Sequence, residues 1–130
     1  MAYPDILAPD LKIIGVVDGG VPNSERIALR PNRRVALTGF GIAVGLSAGD
    51  AGALPIYDNV FWFPEMIVEP PAWLFVYTGP GTTRQTTFPS GEPALVFHWN
   101  RKHTIFAQHD LVPVLFSVGF AEVGDHIPPS

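Results

Sequence analysis

The sequence predicts an all-β protein: an antiparallel β-sandwich of about eight to ten short strands with little or no helix. Three observations carry this. Aromatic and β-branched residues are gathered in short runs, each closed by Pro or Gly, and most of the aromatic residues fall in such runs between 59 and 100. Turn-forming residues return at intervals of roughly eight to twelve residues. Where polar residues enter the runs they alternate with apolar ones, as from Glu25 to Arg30, which is the period of a half-buried strand.

In chain order, residues 1–10 hold Pro4 and Pro9 without any period and read as an extended arm, ordered only where it docks. Leu11–Val17 is the first strand, closed by the turn signal Asp18-Gly19-Gly20. From Glu25 to Arg30, Ile27 and Leu29 face one way and Arg26, Ala28 and Arg30 the other. Arg30 to Arg33, with Pro31 second and Asn32 third, predicts a type I turn and a new strand near Arg34. Between Arg34 and Leu46 the apolar positions are odd at Val35 and Leu37, then even at Phe40, Ile42, Val44 and Leu46. A β-bulge at Gly39 is the expected remedy for that slip of phase. Residues 47–56 read as a loop with room for one helical turn.

Then come Phe61 to Phe63, stopped by Pro64; Met66 to Val68, stopped by Pro70 and Pro71; and Trp73 to Tyr77, stopped by Gly79-Pro80-Gly81. Trp73 to Tyr77 is apolar on both faces, which predicts a central strand buried front and back. Thr82–Phe88 is polar and Thr-rich, and Ala94–Trp99, His103–Ala107 and Leu111–Phe120 complete the strands, with Pro113 marking an edge or a bulge. Residues 124–130 read as a disordered tail. The chain is therefore expected to be one domain, 11–123, of jelly-roll or immunoglobulin-like topology, between an arm and a tail.

Composition narrows the function. Of the 130 residues 47% are hydrophobic and 15% charged, against roughly 25% charged in an ordinary soluble domain. That excess of apolar surface predicts contact with another chain, and with only Lys12 and Lys102 present, Pro takes over the guarding of sheet edges. A net charge of −4 and a pI near 5.4 argue against nucleic acid, whose phosphates call for Lys and Arg. With no Cys there is no disulfide, no thiolate chemistry and no Cys-bound zinc, which fits a reducing compartment. Residues 1–10 lack the basic and apolar regions of a secretory signal, and no run approaches the roughly eighteen apolar residues of a membrane helix. The expected location is cytoplasmic, with no membrane partner.

Few residues promise chemistry. Gly39, Gly41 and Gly45 after a strand resemble the opening of a dinucleotide-binding domain, but Leu46 to Pro55 cannot form the helix that must follow. Pro4 to Ile14 resemble the start of the mismatch-specific uracil-DNA glycosylases; the loop that carries the catalytic Asn in that family is replaced by Gly15-Val16-Val17-Asp18-Gly19, so no site residue carries over. Glu65 and Glu69 lie on one face of a strand with Cα atoms about 13 Å apart, too far for a glycosidase pair. No Ser-centred elbow is present, and the enzyme class is left without a candidate catalytic residue.

Three binding constellations remain. If Asn100-Arg101 is a hairpin turn, His98 and His103 face each other and, with His109, could share a metal. Arg26, Arg30, Arg33 and Arg34 gather around one hairpin and could receive a carboxylate or phosphate of a ligand or partner. Trp62, Phe63 and Trp99 are candidates for a ligand or interface surface. No cofactor is implied. The favoured expectation is a non-enzymatic structural or interaction module that forms homo-oligomers or docks on a larger protein assembly through aromatic strands. The alternative is a lectin-like jelly roll in which an exposed Trp stacks on a carbohydrate ring.

Overall fold

The computed structural model describes residues 10–47, 53–119, 122 and 124–129, with backbone alone for 53–59. Ten strands are present among them: β1 (Leu11–Val17), β2 (Arg26–Pro31), β3 (Val35–Ala36), β4 (Phe40–Ser47), β5 (Ala53–Trp62), β6 (Ile67–Val68), β7 (Trp73–Tyr77), β8 (Arg84–Thr87), β9 (Pro93–His98) and β10 (Leu111–Ser117). They form a five-stranded sheet, β1-β2-β7-β9-β8, a three-stranded sheet, β10-β4-β5, and a two-stranded ribbon, β3-β6. The fold is all-β and sandwich-like, without a closed barrel. The described residues contain no helix, which removes both α/β resemblances, and so none long and apolar enough to cross a membrane. Of the predicted arm, residues 1–10, all but Asp10 lie outside the described residues.

Alternation builds the core. Ile27 and Leu29 of β2, Leu74 and Val76 of β7 and Phe97 of β9 point inward from the five-stranded sheet and meet Ile42, Val44 and Phe61 of the three-stranded one. An aromatic cluster joins the layers: Phe61 lies 5.1 Å from Phe63 and 6.0 Å from Trp99, and Phe63 lies 5.3 Å from Phe97.

The phase slip is resolved by a change of sheet instead of a bulge. After β3, a turn closed by Phe40 N–H donating to Leu37 C=O, with Gly39 at φ +85°, turns the chain from the ribbon into β4. Both apolar sets are then buried, Val35 and Leu37 from the ribbon side and Ile42 and Val44 from β4. The ribbon continues past its ladder, since Leu37 N–H donates to Met66 C=O.

Several expectations are corrected. The sandwich is not wholly antiparallel: β7 and β9 run parallel, because the chain crosses over through β8 on the far side of β9 before returning. Trp73, Phe75 and Tyr77 are half-buried on the outer face of β7, so that strand is covered fully on one side only. Residues 53–56 are strand, not loop. β2 runs through Pro31, which pairs with Leu11, so the turn comes at Asn32 and Arg33. Residues 103–107 form no strand; the amides of Ile105 and Phe106 donate to the Glu25 carboxylate instead of to a ladder. β8 and β10 are edges, β8 polar and exposed and β10 carrying the edge residue Pro113.

Candidate functional site

The two outer faces of the sandwich differ in chemistry. On the three-stranded sheet, the register sets Gly41 of β4 beside Trp62 of β5 and Phe116 of β10. A Cβ on Gly41 would stand 2.7 Å from Phe116 Cζ and 3.1 Å from Trp62 Cε3. Without one, the two rings meet edge to face above the glycine, at 5.3 Å and 83°. Ala43 and Gly45 are the next outward residues of β4, beside Val114 and Val112. Leu111 and Leu115 pack on the core, which turns Val112, Val114 and Phe116 outward by alternation. Trp62 is 53% exposed. From Gly41 to Gly45, the described side chains of this face carry no charge, and their one polar group is the indole N–H of Trp62; Ala43 is buried, and Val112, Val114 and Phe116 are half-buried.

The outer face of the five-stranded sheet is dressed by its own cations. Trp73 and Phe75 stack in parallel at 5.9 Å, and the guanidinium carbon of Arg30 lies 4.3 Å from the Trp73 ring centre. Arg26 lies 5.5 Å from the Tyr77 ring centre and pairs with Asp18 at 3.2 Å, while Arg30 pairs with Glu92 at 3.3 Å. Arg33 pairs with Asp10 at 2.9 Å. The four arginines of the predicted anion site are therefore dispersed: Arg26 and Arg30 lie over aromatic rings with carboxylate partners, Arg33 has its own carboxylate, and Arg34 is exposed beyond the strand.

The predicted histidine set does not assemble. Residues 99–110 form turns instead of the return strand of a hairpin, so His103 is not brought opposite His98. No group of three or more His, Asp or Glu that could hold a metal exists among the described residues. His98 is occupied as well. Arg84 Nη1, which can only donate, lies 3.1 Å from His98 Nε2, so that nitrogen accepts and Nδ1 donates to Gly79 C=O at 3.3 Å.

Of the aromatic candidates only Trp62 is free. Phe63 and Trp99 belong to the core, with 6% and 9% of their surface exposed, and present no ring to a ligand.

One residue that sequence reasoning passed over organises this end of the molecule. Glu25, 1% exposed, accepts four hydrogen bonds: Oε1 from Thr78 Oγ1 and Ile105 N–H, both 2.7 Å, and Oε2 from Gly20 N–H at 2.7 Å and Phe106 N–H at 2.9 Å. Burial alone would raise its pKa, but the bonds from Ile105, Gly20, Thr78 and Phe106 together outweigh it and hold the carboxyl below the ordinary Glu value. Glu25 thus pins the loops after β1, β7 and β9 to one point. No local motif announces it, because its donors lie up to 81 positions away.

Compared with models of protein families, with curated proteins and with solved structures, the chain has no match.

Proposed function

We propose that the chain is a non-enzymatic assembly module that packs the outer face of β10-β4-β5 against a second copy of itself or another protein. The observation that carries this reading is the contrast between the two outer faces. Arginines cover the aromatic rings of one sheet, while Trp62, Phe116, Val112 and Val114 around Gly41, Ala43 and Gly45 have no polar cover among the described residues. An exposed aromatic ring beside small residues is the composition of an interface centre, where Trp is enriched and charges are depleted.

The test is solution mass by size-exclusion chromatography with light scattering over about a hundredfold range of concentration, across which mass action shifts any weak assembly. An oligomer is expected for the native chain. Trp62→Arg and, separately, Val114→Arg should return it to a 14.1 kDa monomer whose circular dichroism spectrum remains that of the native fold. A native chain that stays monomeric throughout overturns self-assembly and restricts the proposal to docking on another protein. The exposed Trp62 ring also supports a second reading, carbohydrate stacking at the same place. A glycan array with hits lost in Trp62→Arg, on a monomeric native protein, would favour it.

A further inference from the structure

We infer that the loop after β9 forms an oxyanion-binding cleft with Arg101 as its charged donor. The loop is held rigidly. Trp99 N–H donates to Tyr77 C=O at 2.8 Å and Arg101 N–H to Thr78 C=O at 2.8 Å, and Asn100, at φ +58°, presents Oδ1 to Gly81 N–H at 2.9 Å. Glu25 fixes the next residues, Ile105 and Phe106. Between this loop, the turn at Asn23 and the end of β7 opens a cleft of about 190 Å³, lined by Asn23, Thr78, Gly79, Arg101, Lys102 and His103 among others.

The charge in this cleft is one-sided. No Asp or Glu lines it among the described residues. Arg101 makes no ion pair there, and its Nη1 is shielded from solvent without a hydrogen-bond partner. The guanidinium lies 5.8 Å from the centre of the Trp99 ring, which belongs to the core, and Arg101 as a whole is half-buried. Glu25, the buried carboxylate among the described residues, has its four bonds filled by amides and a hydroxyl, and no cation contributes to its lowered pKa. A partly buried cation without a counter-charge is costly. An oxyanion seated in the cleft supplies that charge and meets the planar donor fork of Arg101, with Lys102 and His103 at the rim. The volume suits a small carboxylate or phosphate group.

The test is an amide-resolved NMR titration of the full chain with inorganic phosphate and, separately, with acetate, at constant ionic strength. Saturable shifts are expected at Gly79, Arg101 and Thr104. They should weaken by about tenfold or more in Arg101→Met, as removal of a charge-assisted bond predicts. The thermal midpoint of that variant should hold, since an apolar chain of similar length leaves no unpaired charge. Saturation by phosphate alone marks a phosphorylated ligand; saturation by acetate as well marks a carboxylate, such as a chain terminus. Arg101→Lys, which keeps the charge but loses the fork, gives an independent reading and should also bind more weakly. Failure of both anions to saturate, or equal binding by the native chain and both variants, overturns the inference.

Discussion

Replacing Glu25 by Gln changes one atom in the most heavily bonded side chain described, and the cost can be worked out donor by donor. If the amide nitrogen takes the Oε2 position, it opposes both Gly20 N–H and Phe106 N–H. In the Oε1 position it lets the Thr78 hydroxyl reverse and accept, so only Ile105 N–H is orphaned. The better orientation therefore costs about 1–3 kcal/mol for one buried unpaired amide, and about 1 kcal/mol for each of the two surviving amide bonds that ceases to be charge-assisted. The sum, about 3–5 kcal/mol, corresponds to a fall of roughly 10–20 °C in the thermal midpoint at this chain length. Circular dichroism melting at pH 7 measures it, and a fall of less than about 3 °C would refute the account. Acid gives a second reading. Because folding lowers the pKa of Glu25, its stabilisation is complete above the ordinary Glu value of about 4.3 and is lost as the pH falls through the folded value below that. The gap in midpoint between native chain and Glu25→Gln should thus narrow from pH 6 toward pH 3; a constant gap would show that the charge contributes nothing.

Other perturbations test the rest of the framework. Gly41→Val puts side-chain carbon where Phe116 and Trp62 meet, and should cost about 1–3 kcal/mol while shifting Trp62 fluorescence; unchanged emission would place the rings elsewhere. Gly39→Val forces a β-branched residue to φ +85° at the change of sheet, and should cost at least about 1–2 kcal/mol by denaturant titration. Leu37→Ala empties a wholly buried site between ribbon and core, with an expected loss of about 2–5 kcal/mol by the same measurement. Zinc titration should give no saturable heat, since His98 Nε2 already accepts from Arg84.

Period two made much of this legible. The alternation of Ile27 and Leu29 with Arg26 and Arg30 in β2 marks both faces correctly, and the Thr-rich run and Pro113 mark true edges. The same period separates Phe61 and Phe63, which are inside, from Trp62, which is outside; it is the signal that distinguishes the free ring from its neighbours. Other features depend on distant partners. The slip at Gly39 is visible, but whether it becomes a bulge or a change of sheet depends on where β6 lies, a ribbon partner some thirty residues on. The parallel β7-β9 pair follows from β8 taking the outer position, which no residue in β7 encodes. Residues 103–107 have the composition of a strand, yet the amides of Ile105 and Phe106 go to a carboxylate 80 and 81 positions earlier. Among the described residues most aromatic rings fall into three groups: a core cluster, a ladder under arginines, and the Trp62–Phe116 pair, of which Trp62 is exposed.

The unequal dressing of the two sheets bears on how far an assembly could grow. A module with sticky surfaces on both sides stacks without limit, as fibrils do. Here the cationic side chains of Arg26 and Arg30 lie across the back of the five-stranded sheet, and the bare patch with Trp62 lies on the front of the other layer. Two copies joined front to front would bury the same patch twice and turn outward two backs whose aromatic rings lie under ion-paired arginines, leaving no bare aromatic face for a further layer. Such an arrangement would terminate itself at a two-fold pair, so under the proposed assembly the dressing of one sheet would set the size of the complex built through the other.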